Sequence, residues 1–124
     1  MFKEKELTQK IIGAAIEVHK QMGPGLLKSV YEECLLRELD LQEISFLRQV
    51  SLPIEYKGIK LESSLKLDLL IENKVIVELK AVDSILPIHQ AQILSYMKLA
   101  KKRVGLLINF NITKLTDGIE RFVL

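Results

Sequence analysis

The segment LKLDLLIENKVIVELK, residues 65–80, contains two apolar runs separated by the polar residues 72–74. Apolar runs of this length on either side of a short polar loop are typical of a β-hairpin. Both runs are almost wholly apolar, as expected of strands whose two faces are covered by other elements. The segment therefore predicts a central hairpin in a sheet that is packed on both sides.

The register of this hairpin follows from the placement of its apolar residues. A three-residue loop sets Ile71 opposite Val75 and, counting outward, Asp68 opposite Glu78, whereas a two-residue loop would pair Asp68 with Val77 and mix both faces. Because register normally follows the apolar pattern, we expect the three-residue loop. One face of the hairpin then carries only apolar side chains, which are Leu67, Leu69, Ile71, Val75, Val77 and Leu79.

The opposite face collects charged side chains at one end, namely Asp68, Glu78 and Lys80. Directly opposed residues have Cβ atoms about 4.5–5.5 Å apart, so two carboxylates there repel each other unless positive charge lies between them. A hard divalent cation such as Mg²⁺ takes oxygen ligands of this kind. Lys80 projects to the same side, where an ammonium group orients water or stabilises developing negative charge. The alternative interpretation is a salt-bridge group on a solvated face.

The N-terminal third of the chain reads as two helices. Apolar residues at helical spacing predict the first helix over 7–22, ended by the GPG at 23–25. A second helix is expected from about residue 30 to about residue 41, with Ser29 and Glu32 at capping-box spacing.

The remaining pattern alternates strands with one further helix. FLRQVSLPIEY predicts one or two strands around Pro53, which favours an edge position. Pro87 is expected to open a helix that runs to about Lys101, and RVGLLINF and IERFVL read as short strands. The predicted order is α-α-β-β-β-β-α-β-β, which indicates an α/β or α+β domain with a central sheet.

Length, charge and cysteine content narrow the functional class. The chain has 124 residues, which predicts one domain, and a net charge of +2, from which no large basic surface can be inferred, so a nucleic-acid contact would have to come from local clustering of charge. A single cysteine, Cys34, excludes an internal disulfide and a cysteine-rich zinc site, and fits a reducing cytoplasm. The charged N-terminus predicts no signal peptide, and no apolar run is long enough to span a bilayer.

Asp68 followed by Glu78-Leu79-Lys80 resembles the motif of the PD-(D/E)XK nuclease superfamily. Four blocks resemble, more narrowly, the small GxxExxY proteins of that superfamily: GPGLLKSVYEECL, LDLLIENKVIVELKAV, PIHQAQILSYMKL and VGLLINFN. The resemblance runs from about Ile11 to the C-terminus. It implies a single restriction-endonuclease-like α/β domain over residues 1–124, with a central mixed β-sheet flanked by helices.

The resemblance also implies roles for individual residues. Asp68 and Glu78 would hold Mg²⁺ or Mn²⁺, and Lys80 would assist the attacking water. The family's name motif falls on Gly25, Lys28 and Tyr31, and Lys28 stands where the family has Glu. If that Glu binds metal or substrate, the change impairs activity; if it only begins a helix, the change matters little.

Three further residues are candidates for the same site. Glu32 resembles a helix Glu of related junction-resolving nucleases and is an additional candidate metal ligand, with the capping box beside Ser29 as the alternative. Gln92 and Tyr96 are four residues apart and share a helix face. They resemble the Q-x-x-x-Y pair of the RecB-like branch, which contacts substrate or the catalytic lysine, and the alternative is a polar flank of an amphipathic helix.

Two functions of different classes follow. The first is a Mg²⁺-dependent nuclease that hydrolyses DNA phosphodiester bonds, with a branched substrate and a homodimeric arrangement as a further expectation. The second is a catalytically inactive module that keeps the nuclease fold and binds nucleic acid or a protein partner. Lys28 is the residue that motivates the second.

Overall fold

The structure is a computed structural model and describes residues 4–124. The helices are α1 (Lys5–Met22), α2 (Lys28–Leu41) and α3 (Pro87–Ala100), with a short 3₁₀ helix at Leu115–Gly118. The strands are β1 (Phe46–Tyr56), β2 (Ile59–Ile71), β3 (Val75–Lys80), β4 (Val104–Asn109) and β5 (Ile119–Val123). The expectation of no signal peptide falls partly on residues 1–3, which lie outside the described residues.

The strands form a five-stranded sheet in the order β1-β2-β3-β4-β5. Strands β3 and β4 are parallel, and the other neighbouring pairs are antiparallel. A parallel pair needs a crossover connection, and α3 supplies it between β3 and β4. The predicted central mixed sheet is therefore confirmed.

Helices cover both faces of this sheet. Buried residues of α1 and α2 pack on the face that carries Leu69, Val77 and Leu79. Ile93 and Met97 of α3 pack on the opposite face, together with other apolar side chains that include Leu70, Ile76 and Leu107. Between residues 4 and 124, no helix has the length and apolar character needed to cross a bilayer.

The predicted register of the central hairpin is confirmed. Ile71 pairs with Val75 and Leu69 pairs with Val77 across β2 and β3. The placement of Leu67 on the uniformly apolar face was wrong, because Leu67 packs with the α3 cluster on the other side of the sheet.

A backbone irregularity in β1 lies next to the change of face at Leu67. Gln49, which lies between the partners of Leu69 and Leu67, has a left-handed φ of 50°. Such a φ interrupts the regular alternation of side chains along its own strand, β1. On β2, the residues on either side of Asp68 face opposite layers, so Asp68 lies at the point of change.

The strand count predicted before the central hairpin was too high by one. FLRQVSLPIEY forms the single strand β1, and β2 extends over 13 residues from Ile59. Pro53 lies inside β1, where the pairing shifts register between Pro53 and Glu55. The predicted edge position is confirmed, because β1 is the first strand of the sheet and pairs only with β2. At an edge, a proline without an N–H can be accommodated, because one side of the strand has no partner strand.

Tyr31 fixes the loop between α1 and α2. Its hydroxyl donates a hydrogen bond to the Gly23 carbonyl at 2.6 Å and accepts one from the Leu26 N–H at 3.0 Å. Its ring stacks on Phe110, with centroids 4.5 Å apart and an interplanar angle of 7°. These contacts fix the point at which α2 begins and therefore the position of its first residue, Lys28.

Removing only this hydroxyl, by Tyr31→Phe, is expected to lower the free energy of unfolding by about 1–2 kcal/mol, since two hydrogen bonds are lost while the ring stack is kept. Urea denaturation measures the change. Tyr56→Phe is the matched control, because Tyr56 is 61% exposed, and it should alter stability by less than about 0.5 kcal/mol. Equal effects of the two substitutions would contradict the anchoring role.

Candidate functional site

Asp68 and Glu78 bridge β2 and β3 where the backbone ladder between these strands ends. The last backbone pair is Leu69 with Val77. Beyond it, the Asp68 N–H donates to Oε1 of Glu78 at 3.0 Å, and the Leu79 N–H donates to Oδ2 of Asp68 at 2.9 Å. The two carboxylates thus accept hydrogen bonds from the opposite strand, and they are only 6% and 4% exposed.

This reciprocal arrangement places two acids side by side in a poorly solvated position. Burial, followed by the neighbouring charge of Asp68, raises the pKa of Glu78 to about 7, and the nearby Lys28 opposes the shift. Glu78 is therefore partly protonated near neutral pH. Burial is the largest cause of the shift, because a carboxylate loses its solvation when it is removed from water.

Lys28 reaches this pair from the start of α2. Its Nζ lies 2.9 Å from Oδ1 and 2.8 Å from Oδ2 of Asp68, so that one ammonium contacts both carboxylate oxygens. The side chain of Lys28 remains 42% exposed, whereas that of Asp68 is 8% exposed. The structure thus brings the residue that departs from the family motif into direct contact with a predicted metal ligand.

The start of α2 differs from the predicted capping box. The helix begins at Lys28, its N-cap is Leu27, and the N-cap makes no side-chain hydrogen bond. The Ser29–Glu32 capping box was therefore wrong, because the helix begins one residue before the proposed Ser29 cap.

Glu32 is instead bound to β1. Arg48 Nη2 donates to one of its oxygens at 2.9 Å, and Gln49 Nε2 donates to the other at 3.2 Å. Consecutive strand residues normally point to opposite faces, and the left-handed φ of Gln49 lets both reach the same carboxylate. Glu32 joins α2 to β1 and does not form a three-acid group with Asp68 and Glu78 within residues 4–124.

Lys80, Gln92 and Tyr96 form a hydrogen-bonded chain beside the carboxylates. Lys80 Nζ donates to Oε1 of Gln92 at 3.4 Å, and Gln92 Nε2 donates to the Tyr96 hydroxyl at 2.9 Å. Burial, followed by the charge of Glu78, raises the pKa of the Tyr96 hydroxyl. Tyr96 is therefore a neutral phenol, which keeps a proton to donate to a further group.

Asn109 is a component of this region that the sequence did not single out. It ends β4 directly beside Lys80 in the parallel ladder and is 3% exposed. Its side chain accepts from the Val82 N–H at 3.1 Å and donates to the Val82 carbonyl at 2.9 Å. A polar residue closing the otherwise apolar VGLLIN was the available signal, and its role is to hold the chain that follows Lys80.

The donor set suits a hard divalent cation in its chemistry and its charge. Asp68 and Glu78 supply carboxylate oxygens, the ligands that Mg²⁺ and Mn²⁺ prefer, and the two side chains lie next to each other. Across residues 4–124, no cluster of three or more His, Cys, Asp or Glu side chains has the geometry of a complete metal site. Two protein ligands leave room for water and substrate oxygens, which is how Mg²⁺ is usually held.

Comparison with known proteins gives one positive result. A family model described as the PD-(D/E)XK nuclease superfamily matches residues 5–122, nearly the whole chain. Comparisons with curated proteins and with solved structures give no match.

Proposed function

The chain belongs to the PD-(D/E)XK nuclease superfamily, and we therefore propose that it is a Mg²⁺-dependent nuclease that hydrolyses phosphodiester bonds of DNA. The observation that carries the proposal is the buried Asp68–Glu78 pair, which lies next to the Lys80–Gln92–Tyr96 chain. A buried acid with a raised pKa, here Glu78, beside a positioned lysine is a group expected at a catalytic site. The mixed sheet with helices on both faces is the restriction-endonuclease-like fold of the superfamily.

Each side chain of the site has its own role in the proposed reaction. Asp68 and Glu78 would hold Mg²⁺ or Mn²⁺, which when bound neutralises phosphate charge and lowers the pKa of a coordinated water. Lys80, oriented by the Gln92 carbonyl oxygen, positions the attacking water or stabilises negative charge on the phosphate. The neutral hydroxyl of Tyr96 donates to a phosphate oxygen, and Gln92 holds both groups in place.

Finer assignments rest on the sequence. The resemblance of the four quoted blocks supports membership of the GxxExxY proteins, and the single cysteine supports a reducing cytoplasm. A branched DNA substrate would suit a two-fold homodimer. Light scattering of the purified protein, alone and with branched DNA, tests this arrangement, and a monomer in both samples would rule it out.

Cleavage assays test the proposed activity. The purified protein is expected to cut at least one of plasmid, single-stranded and branched DNA in the presence of Mg²⁺ or Mn²⁺, and none after chelation. Lys80→Met should reduce the rate about 100-fold or more, as for the loss of one group that stabilises the transition state. Lys102→Met is the matched control, because Lys102 bonds Asn73 in the loop at the opposite end of β3.

A tight contact favours the second candidate function, a catalytically inactive module that binds nucleic acid or a protein partner. Lys28 already neutralises Asp68 through both carboxylate oxygens, as expected if an ion pair has replaced metal binding. Calorimetric titration with Mg²⁺ and Mn²⁺ separates the two functions. Binding that disappears in Glu78→Gln supports the nuclease, and the absence of binding with and without DNA supports the inactive module.

A further inference from the structure

We propose that Lys28 is a displaceable counter-ion of Asp68, and that its release couples the binding of a divalent cation to the binding of a nucleic-acid phosphate. The inference rests on the proposed function, because it concerns the same pair of acids. It goes further in assigning a role to Lys28 and in describing how the site is regulated by its substrate.

The first step concerns competition for Asp68. Both oxygens of Asp68 are within 3 Å of the Lys28 ammonium, and Oδ2 also accepts from the Leu79 N–H. A cation bound to Asp68 would lie close to this ammonium, and the two positive charges would repel each other strongly in a buried position. Metal binding therefore requires the Lys28 side chain to leave Asp68.

The second step concerns where Lys28 can go. Its side chain is 42% exposed, and its four-carbon stem is flexible. Lys28 is also the first residue of α2, where the unpaired backbone N–H groups of a helix favour anions. The released ammonium therefore remains beside the acids and faces solvent, in a position to contact a phosphate that approaches Asp68 and Glu78.

The third step concerns the charge of the whole site. By formal charge, the ionised Asp68 and Glu78 are matched by Lys28, which contacts Asp68, and by Lys80, two residues after Glu78, so a divalent cation adds two positive charges without partners. Phosphodiester groups would neutralise them. Metal alone is then bound weakly and metal with DNA is bound tightly, and by linkage the metal strengthens DNA binding by the same factor.

Calorimetry with Ca²⁺ as the probe tests this coupling. Titrations are run on the whole protein at pH 8.5, above the pKa of Glu78 of about 7, with and without a duplex oligonucleotide that is checked afterwards for cleavage. Lys28→Met is expected to bind Ca²⁺ at least about fivefold more tightly than the wild type without DNA, in the range typical of such couplings. The duplex should strengthen Ca²⁺ binding by a similar factor in the wild type and much less in Lys28→Met.

Lys66→Met is the matched control. Lys66 is an exposed lysine on β2, two residues before Asp68. Its substitution removes one positive charge near Asp68, as Lys28→Met does, but leaves the ammonium that contacts Asp68 in place. The control should behave as the wild type does in all titrations. If Lys28→Met fails to fold, Lys28→Gln keeps a polar side chain at the exposed start of the helix and is expected to give the same pattern.

Equal Ca²⁺ affinity in the wild type and Lys28→Met, or an equal effect of DNA on both, would overturn the inference. No binding of Ca²⁺ by any variant, with or without DNA, would also overturn it. The nuclease assays are independent of this result. The expected Ca²⁺ pattern without any DNA cleavage would support the role of Lys28 and refute the nuclease. DNA cleavage together with equal Ca²⁺ affinities in the wild type and Lys28→Met would support the nuclease and refute the role of Lys28.

Discussion

Asp68→Asn is expected to lower the rate of metal-dependent DNA cleavage by about 1000-fold, the upper part of the range for removing one preorganised electrostatic group. The amide keeps an oxygen that accepts from the Leu79 N–H, as Oδ2 does in the native chain. The bridge between β2 and β3 is therefore preserved, while the charge that binds the cation is lost. Single-turnover cleavage rates at saturating protein measure the effect.

Asp40→Asn provides the matched control for this experiment. Asp40 is exposed near the end of α2, and its amide variant should cleave DNA at the wild-type rate. Circular dichroism of Asp68→Asn establishes that the fold is intact. A folded Asp68→Asn that retains more than a tenth of the wild-type rate would exclude Asp68 as an essential metal ligand.

Glu78→Gln is expected to stabilise the metal-free protein at alkaline pH. The pKa of Glu78 is raised to about 7 from its ordinary value of 4.5, so between these two values the folded chain holds a proton that the unfolded chain releases. Its contribution is present below pH 4.5 and is lost as the pH rises through 7, at 1.36 kcal/mol per unit. The full loss is on the order of 3 kcal/mol.

The amide of Glu78→Gln does not ionise, so this variant does not lose stability as the pH rises through 7. Its oxygen still accepts from the Asp68 N–H, as Oε1 of Glu78 does. Urea denaturation with a chelator should therefore show similar stabilities at pH 4.5 and a more stable Glu78→Gln at pH 8.5. Glu62→Gln, an exposed substitution on β2, should show no such difference. A stability gap that does not change with pH would contradict the assigned cause.

These two predictions describe one trade-off. The pair of acids destabilises the metal-free fold at pH 8.5, and a bound cation should restore that stability by mass action. Ca²⁺ added to the wild type together with a duplex oligonucleotide is expected to stabilise it far more than it stabilises Glu78→Gln. Sites that bind ligands commonly reduce the stability of the empty protein in this way.

The apolar pattern was sufficient to predict the central hairpin and the opposition of Asp68 and Glu78. Alternation along two covered strands permits only one register that keeps charges together, and the pairing of Ile71 with Val75 agrees with it. The extra strand predicted around Pro53 shows the limit of this reasoning. A proline breaks a central strand but is tolerated at an edge, and sequence alone did not show that the chain continues unbroken through it.

Other features depended on contacts between distant residues. Neither the left-handed φ of Gln49 nor the change of face at Leu67 is indicated by a glycine in the sequence. The Lys28–Asp68 ion pair joins residues 40 positions apart, and its existence depends on where Tyr31 holds the start of α2. The sequence indicated that Lys28 was unusual, and only the packing shows that its charge lies on a candidate ligand.

The parallel pairing of β3 with β4 also sets the order in which the site can assemble. A nascent chain that has emerged as far as Lys80 already contains both acids and both lysines, but it lacks the crossover helix and the strand that enclose them. Contacts between segments far apart in the chain form late in folding. The candidate site is therefore incomplete until β4 is in place, and the hairpin expressed alone should not bind a divalent cation.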